Sequence, residues 1–430
     1  MAAPGAVHVV DDWGRPRLPW AVRIANAAAG PLARRAVRLE ADALLEAASR
    51  RAGGLGDFGD GSFREPLGVL LAALEREAAL TALGRVMARE LLLQLLVTRL
   101  RSEALFARHP EIEREEIRAP LIVVGLPRTG TTHLHGLLCQ APGLRSLPYW
   151  ESLEPIPELE RAVPEGAEAP GAGDGPDPRV ARCARALRFQ HWMMPLFPLM
   201  HEMTPEAPHE EIQLLATHFS TMLFEASYTI PSYRDWYRAA DQTPAYRALR
   251  RLLQALQWLR GPRRWVLKSP QHLEQIPALL AVFPDAWIVQ THRDPVRVTA
   301  SMVTMAGYGL RMQRSAIDPR AVGAYWAARV QDLLRRSVED RVRIPAERVL
   351  DVHFREFMGR EVETAERVLA FAGHPLDGAG RAALARYQEA HRRGRHGTLA
   401  YRLEDFGLDA ARVRADLAFY RDRFEVGEDA

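Results

Sequence analysis

Apolar positions recur at helical spacing from Leu32 to about Ala107: Leu67, Leu70, Leu71 and Leu74 fall on one face, and a second apolar stretch runs on through Leu100. A Gly- and Asp-rich break from Gly53 to Gly61 separates these helices from an earlier one expected around Ala36 to Arg50. The most apolar run, Leu91 to Val97, is interrupted by Gln94 and flanked by Arg89, Glu90 and Arg99. It falls far short of the roughly 20 apolar residues that a membrane span needs, so it reads as a buried helix. Residues 1–118 are therefore expected to form an N-terminal helical extension.

After Pro120 the period changes. Leu121-Ile122-Val123-Val124 is a continuous apolar run ended by Gly125, the pattern of a strand buried on both faces, and Gly130 to Gln140 reads as a helix. The alternation then repeats: Trp265-Val266-Leu267 as a strand, a helix from about Leu273 to Val282, and a third strand at Trp287-Ile288-Val289. Asp294-Pro295 supplies an N-cap followed by Pro at the first helical position, which starts another helix toward Ala306. Strands and helices alternating at these intervals predict an α/β fold, a parallel sheet flanked by helices, over residues 119–430. Within it, residues 164–178 are dense in Gly, Pro, Ala and Asp and are expected to be a mobile surface loop. Residues 184–237, rich in Met, His, Trp and Phe, are expected to be a helical insert that serves either as a lid over an acceptor pocket or as ordinary aromatic core.

Composition narrows the function classes. With 47% hydrophobic and 26% charged residues, the 430-residue chain has globular composition and ample length for a large core. A net charge of +3 gives no large general attraction for nucleic acid or anionic membrane, although local basic sites can still hold small anions. Two cysteines, Cys139 and Cys183, are too few for a disulfide framework. Residues 1–13 contain no apolar run of a secretory signal, and a cytoplasmic setting is expected.

The candidate chemistry begins at Gly125-Leu126-Pro127-Arg128-Thr129-Gly130-Thr131-Thr132. Placed between a buried strand and a helix, such a segment aims backbone N–H groups and the helix dipole at one anion-sized spot. Its glycine spacing is that of the nucleoside triphosphatase P-loop, but Thr131 stands where those enzymes carry Lys. A site with Arg128, several amides and two threonine hydroxyls, but no such Lys, suits a less charged anhydride than a triphosphate with its Mg²⁺.

On these residues the chain resembles the superfamily of sulfotransferases that use 3'-phosphoadenosine 5'-phosphosulfate (PAPS), especially bacterial members with Pro-Arg-x-Gly-Thr-Thr loops. The resemblance extends from about Pro120 to the C-terminus. It implies PAPS as co-substrate, no metal, and a small-molecule or carbohydrate acceptor whose hydroxyl or amine receives the sulfuryl group. It assigns Arg128, Thr129, Gly130, Thr131 and Thr132 to the 5'-phosphosulfate, and Arg293 with Ser301, eight residues on, to the 3'-phosphate. Arg392-Arg393-Gly394 resembles a further turn of the family that touches the 3'-phosphate, giving Arg393 and Gly394. Tyr401 to Leu408 resembles the closing segment of bacterial members.

Leu267-Lys268-Ser269-Pro270-Gln271-His272 lies where the family carries Lys and His near the reacting centre. A cation there, Lys268 or Arg128, would offset charge developing on the leaving phosphate. Two residues compete for the base: His272, at the carboxyl edge of a strand, and Glu151 in Pro148-Tyr149-Trp150-Glu151, whose position resembles, to within about two residues, that of the catalytic Glu in the tyrosylprotein and some carbohydrate sulfotransferases. His201, Glu202, His209, Glu210, Glu211 and His218 match no compact zinc spacing, and a part in shaping the acceptor pocket is expected of them instead. Two other readings of the chain are a Mg²⁺-dependent phosphoryl transferase of the P-loop fold and a non-catalytic nucleotide-binding or scaffold protein.

Overall fold

Five short runs of β-branched and aliphatic residues pair into one sheet, and they set everything else. The computed structural model describes residues 7–159, 176–391 and 398–429. Its central sheet contains β1 (Leu121–Val124), β2 (Leu144–Arg145), β3 (Arg264–Lys268), β4 (Trp287–His292) and β5 (Val349–His353). The order is β2-β3-β1-β4-β5 with every pair parallel; Ile122 of β1 lies opposite Leu267 on one side and Ile288 on the other. From β1 the chain runs out to β2, returns to β3, and then crosses to β4 and β5. That reversal makes the carboxyl ends of β3, β1 and β4 the topological switch point, where open α/β sheets bind ligands.

Alternate side chains of β1 enter opposite cores, as a strand's two-residue period requires. Ile122 and Val124 join the larger core. Leu121 and Val123 join a smaller one with Leu134, Leu137 and Leu138. The helices that begin the chain are α1 (Trp20–Ala36), α2 (Ala41–Arg51), α3 (Arg64–Arg76) and α4 (Ala82–Arg108). The stripe Leu67, Leu70, Leu71 and Leu74 of α3 is buried, and it shares the larger core with Ile122 and Ile288. The N-terminal helices thus close one face of the sheet instead of building a separate core. Helix α4 comes close to the chain after β4: a Cβ on Gly84 would stand 2.6 Å from the carbonyl oxygen of Gln313.

Helix α5 (Thr131–Leu138) follows β1, and α6 (Tyr149–Leu153) follows β2. Helix α7 (Pro178–Met193) opens the expected insert with Asp177 as N-cap and Pro178 at its first position. Short helices continue at Phe197–Met200, Ile212–Leu215, Met222–Tyr228 and Pro231–Ala239, and Pro208–His209 pairs antiparallel with Leu147–Pro148. After β4, Asp294 caps α8 (Pro295–Gly309) by accepting from the Val296 amide at 3.0 Å. The expected loop over 164–178 lies outside the described residues up to 175. Among the described residues, no helix is long and apolar enough to cross a membrane.

Candidate functional site

The turn after β1 is shaped by its own hydroxyls and by two residues in the left-handed region. Arg128 has φ 74° and Gly130 φ 90°. The Thr129 hydroxyl donates to the Leu126 carbonyl at 2.7 Å and lies 2.6 Å from the Thr291 hydroxyl of β4. Gly125 is required by close approach: a Cβ there would stand 2.1 Å from Thr291 Oγ1. Left-handed backbone at a non-glycine costs on the order of 1 kcal/mol or more, so something must hold Arg128 in place. Arg293, just past β4, does so by donating to the Arg128 carbonyl at 2.8 Å. The turn delivers the chain into α5, whose first N–H groups have no intrahelical acceptors and face outward beside Gly130.

These elements open onto one cavity of about 1400 Å³, lined among others by Gly125, Arg128, Gly130, Thr131, Thr132, Arg293, His201, His209 and Glu210. The Arg128 guanidinium donates to the Met200 carbonyl at 2.7 Å and lies over the Tyr401 ring, 5.7 Å from its centroid. Lys268, the chain's only lysine, ends β3 and is buried. Its Nζ donates to Glu210 Oε1 and, at 3.4 Å, to Thr132 Oγ1. Three adjacent strand ends therefore bring together a loop of amides, a lysine and an arginine.

Two histidines of the cavity wall sense this positive charge. Burial, then the charges of Lys268 and Arg128, push His201 down to about 4. Burial, then His201 and Lys268, hold His209 well below the usual range. Both are neutral imidazoles at pH 7, and their rings meet edge to face at 6.2 Å. A further cation of the wall, Arg293, pairs with Asp429 through Nε at 2.5 Å and lies over the Phe354 ring at 3.9 Å.

The structure moves several expected roles. Glu151 is buried away from the cavity wall, taking Arg145 at 2.5 Å and Arg260 at 3.1 Å. Both of its oxygens are taken by arginines, and it does not line the cavity as Glu210 does. His272 is fully buried, between Glu211 on Nε2 and the Tyr246 hydroxyl, 2.7 Å from Nδ1. Both ring nitrogens are engaged, and the ring does not line the cavity. Burial works to raise the Glu211 carboxyl, but the His272 bond and charge and the Lys268 amide outweigh it and hold it below its ordinary value. The pair thus fixes the backbone from which Lys268 projects.

Thr129 spends its hydroxyl inside the turn, so its side chain shapes the loop and does not face the cavity. Ser301 is buried on α8, and its hydroxyl has no hydrogen-bond partner among the described residues. Arg393 and Gly394 lie outside the described residues. Glu210 is the residue whose place the sequence did not disclose. Pro208-His209-Glu210-Glu211 leads into the helix Ile212–Leu215, and its two neighbouring carboxylates diverge, Glu210 at the wall onto Lys268 and Glu211 onto the buried His272. Among the described residues no group of three or more His, Cys, Asp or Glu is arranged to hold a metal ion.

A sequence model of the Sulfotransferase family matches residues 120–378, which include β1, the turn, β3, β4 and α8. No curated protein matches the chain. Among solved structures the chain is similar to sulfotransferase STF1 from Mycobacterium tuberculosis H37Rv, with 31% identity, a TM-score of 0.75, and coverage of 88% of this chain and 98% of that one. It is also similar to sulfotransferase STF9 from Mycobacterium avium, with 27% identity, a TM-score of 0.77, and coverage of 91% and 98% respectively. The family match spans more than half of the sequence, and the similarity to the first structure reaches into the N-terminal helices; this chain belongs to the sulfotransferase family.

Proposed function

We propose that the protein transfers the sulfuryl group of PAPS to an acceptor hydroxyl or amine without a metal ion. The observation that carries this reading is the placement of the only lysine. In a chain with 57 Lys and Arg residues, the one Lys stands buried at the end of β3 and reaches Thr132, whereas the P-loop position itself holds Thr131. An ammonium is a compact point charge, and this one is aimed from behind the loop at the mouth of α5.

The residues present fit the nucleotide. Gly125 lets the turn close onto Thr291, the αL Gly130 leads the chain into α5 with its first amides uncapped by any side chain, and the buried hydroxyl of Ser301 has no hydrogen-bond partner among the described residues. The amides and hydroxyls of Thr131 and Thr132, with Arg128, would hold the 5'-phosphosulfate; Arg293 and Ser301 would hold the 3'-phosphate. Once bound, PAPS supplies the electrophile: the acceptor oxygen or nitrogen bonds to sulfur while the bond from sulfur to the 5'-phosphate oxygen breaks, and that phosphate oxygen keeps the electron pair. Lys268 offsets the charge gathering there. Glu210, a carboxylate at the cavity wall beside Lys268, accepts the acceptor's proton. Two free thiols, Cys139 and Cys183, fit a reducing compartment such as the cytoplasm.

Calorimetric and thermal-shift titrations with 3'-phosphoadenosine 5'-phosphate (PAP), AMP, and ATP with Mg²⁺ test this. PAP should bind most tightly and shift the melting temperature furthest, unaffected by a chelator. A preference for ATP with Mg²⁺ would replace the proposal with phosphoryl transfer.

A further inference from the structure

The cavity is larger than its nucleotide requires. At about 1400 Å³ it exceeds the roughly 300–1,000 Å³ of an ordinary small-ligand site, leaving room for a second molecule beside one held at the turn. What lines the remainder is unusual. Of the chain's 11 methionines, nine line this cavity, although only 54 of the 430 residues do. An even scatter would put about one or two there. They come from separate elements: Met87 from α4, Met200 from the insert, Met222 from the helix Met222–Tyr228, and Met302, Met305 and Met312 from α8 and the turn after it. Met200 and Met312 belong to a third apolar cluster, with Met87 and Met305 packed against it. This wall adjoins the reacting end directly, because the Met200 carbonyl accepts from Arg128.

Methionine has three rotatable bonds and a polarizable sulfur, so the methionine part of the wall adapts to apolar bodies of irregular shape and offers almost nothing to hydroxyl groups, while polar side chains such as Gln190, Gln213, Ser227 and Gln313 elsewhere in the lining can meet a few polar atoms. A sugar needs fixed donors and acceptors at many positions, and leaving them unpaired is costly. Resting on the donor reading above, we infer that the acceptor is an alcohol or phenol whose hydroxyl is carried on an uncharged, flexible, lipid-like apolar body. The hydroxyl lies toward Lys268 and Glu210, the body fills the methionine chamber, and the acceptor oxygen gains the sulfuryl group as its proton passes to Glu210. Helix α4 then helps to select the acceptor, which gives the N-terminal helices a part in specificity.

The test uses the full chain, labelled PAPS and a series of 4-alkylphenols from methyl to octyl, with an alkyl-free glucoside as the polar comparison. Each methylene buried in the chamber should raise kcat/KM about fourfold until the chamber is full. Met87→Glu and Met305→Glu should each lower kcat/KM for the octylphenol at least tenfold, with a much smaller loss for the methyl compound. Their PAP affinity should equal that of the unmodified protein, which shows that they fold and keep the donor site. PAP binding with a flat alkyl series, with preference for the glucoside, or with no phenol turned over would overturn the acceptor inference and leave the donor reading standing. Failure of PAP to bind the unmodified protein would instead sink the donor reading.

Discussion

Gly125→Ala puts the packing of the phosphate-binding turn to a quantitative test. The added methyl would stand 2.1 Å from Thr291 Oγ1 and 3.0 Å from both Thr129 Oγ1 and Thr131 Cγ2. None of these is the free end of a long side chain; each sits on a stiff β-branched residue. Thr291 must therefore move by an ångström or more, which separates its hydroxyl from that of Thr129, now at 2.6 Å. Overpacking costs about 1–3 kcal/mol and the lost hydrogen bond about 1 kcal/mol, so the variant should be about 2–4 kcal/mol less stable in urea unfolding. The displaced turn should also weaken PAP about tenfold or more, some 1.4 kcal/mol in calorimetry. Gly68→Ala is the control: it is an exposed position within α3 with nothing within 4 Å of the new Cβ, and it should gain about 0.5–1 kcal/mol. A Gly125→Ala protein as stable as the original would refute the packing described here. One that is destabilised but binds PAP unchanged would refute the placing of the nucleotide at this turn.

Asp429→Ala should tighten PAP about three- to tenfold and leave AMP unchanged, because the Asp429 carboxylate pairs with Arg293, the proposed contact of the 3'-phosphate; weaker PAP binding in calorimetry would contradict this. Glu210→Gln should lower kcat at least a hundredfold with PAP affinity within a few-fold, whereas Glu151→Ala should keep kcat within about threefold but lose about 3 kcal/mol of stability, since it leaves Arg145 unpaired. The reverse pattern would favour Glu151 as the base. For Asp351, burial works to raise the carboxyl but the bonds from His292 and Arg341 prevail and hold it at about 2. A depressed folded value means stability that is present above the unfolded value of about 4 and lost as pH falls through about 2. Asp351→Asn should therefore lower the urea midpoint at neutral pH and flatten the curve between about pH 4 and 2, and parallel curves for the two proteins would argue against the assignment.

Where burial is two-sided and the motif local, the sequence read well. Leu121–Val124 was legible to the residue because a strand in the middle of a parallel sheet is apolar throughout. Asp294-Pro295 was legible because capping is decided by neighbours in sequence. Strand β5 was missed: Asp351 and His353 break its apolar run, and Asp351 is satisfied by Arg341, on the turn before the strand, and by His292, on the neighbouring strand β4. The same reason applies to the glutamates considered for the base. Whether a glutamate meets a cavity or an arginine pair depends on where Arg145, Arg260 and Lys268 come to rest, and spacing along the chain carries no such information. The methionine chamber likewise draws on elements more than two hundred residues apart, so it becomes visible only when they are folded together.

A crystal structure of the protein with PAP tests the central claim most directly. The 5'-phosphate should lie against the amides of Gly130, Thr131 and Thr132 within reach of Lys268, with the 3'-phosphate on Arg293 and Ser301 and Asp429 displaced. Nucleotide bound elsewhere, or with its two phosphates exchanged between these positions, would contradict the account.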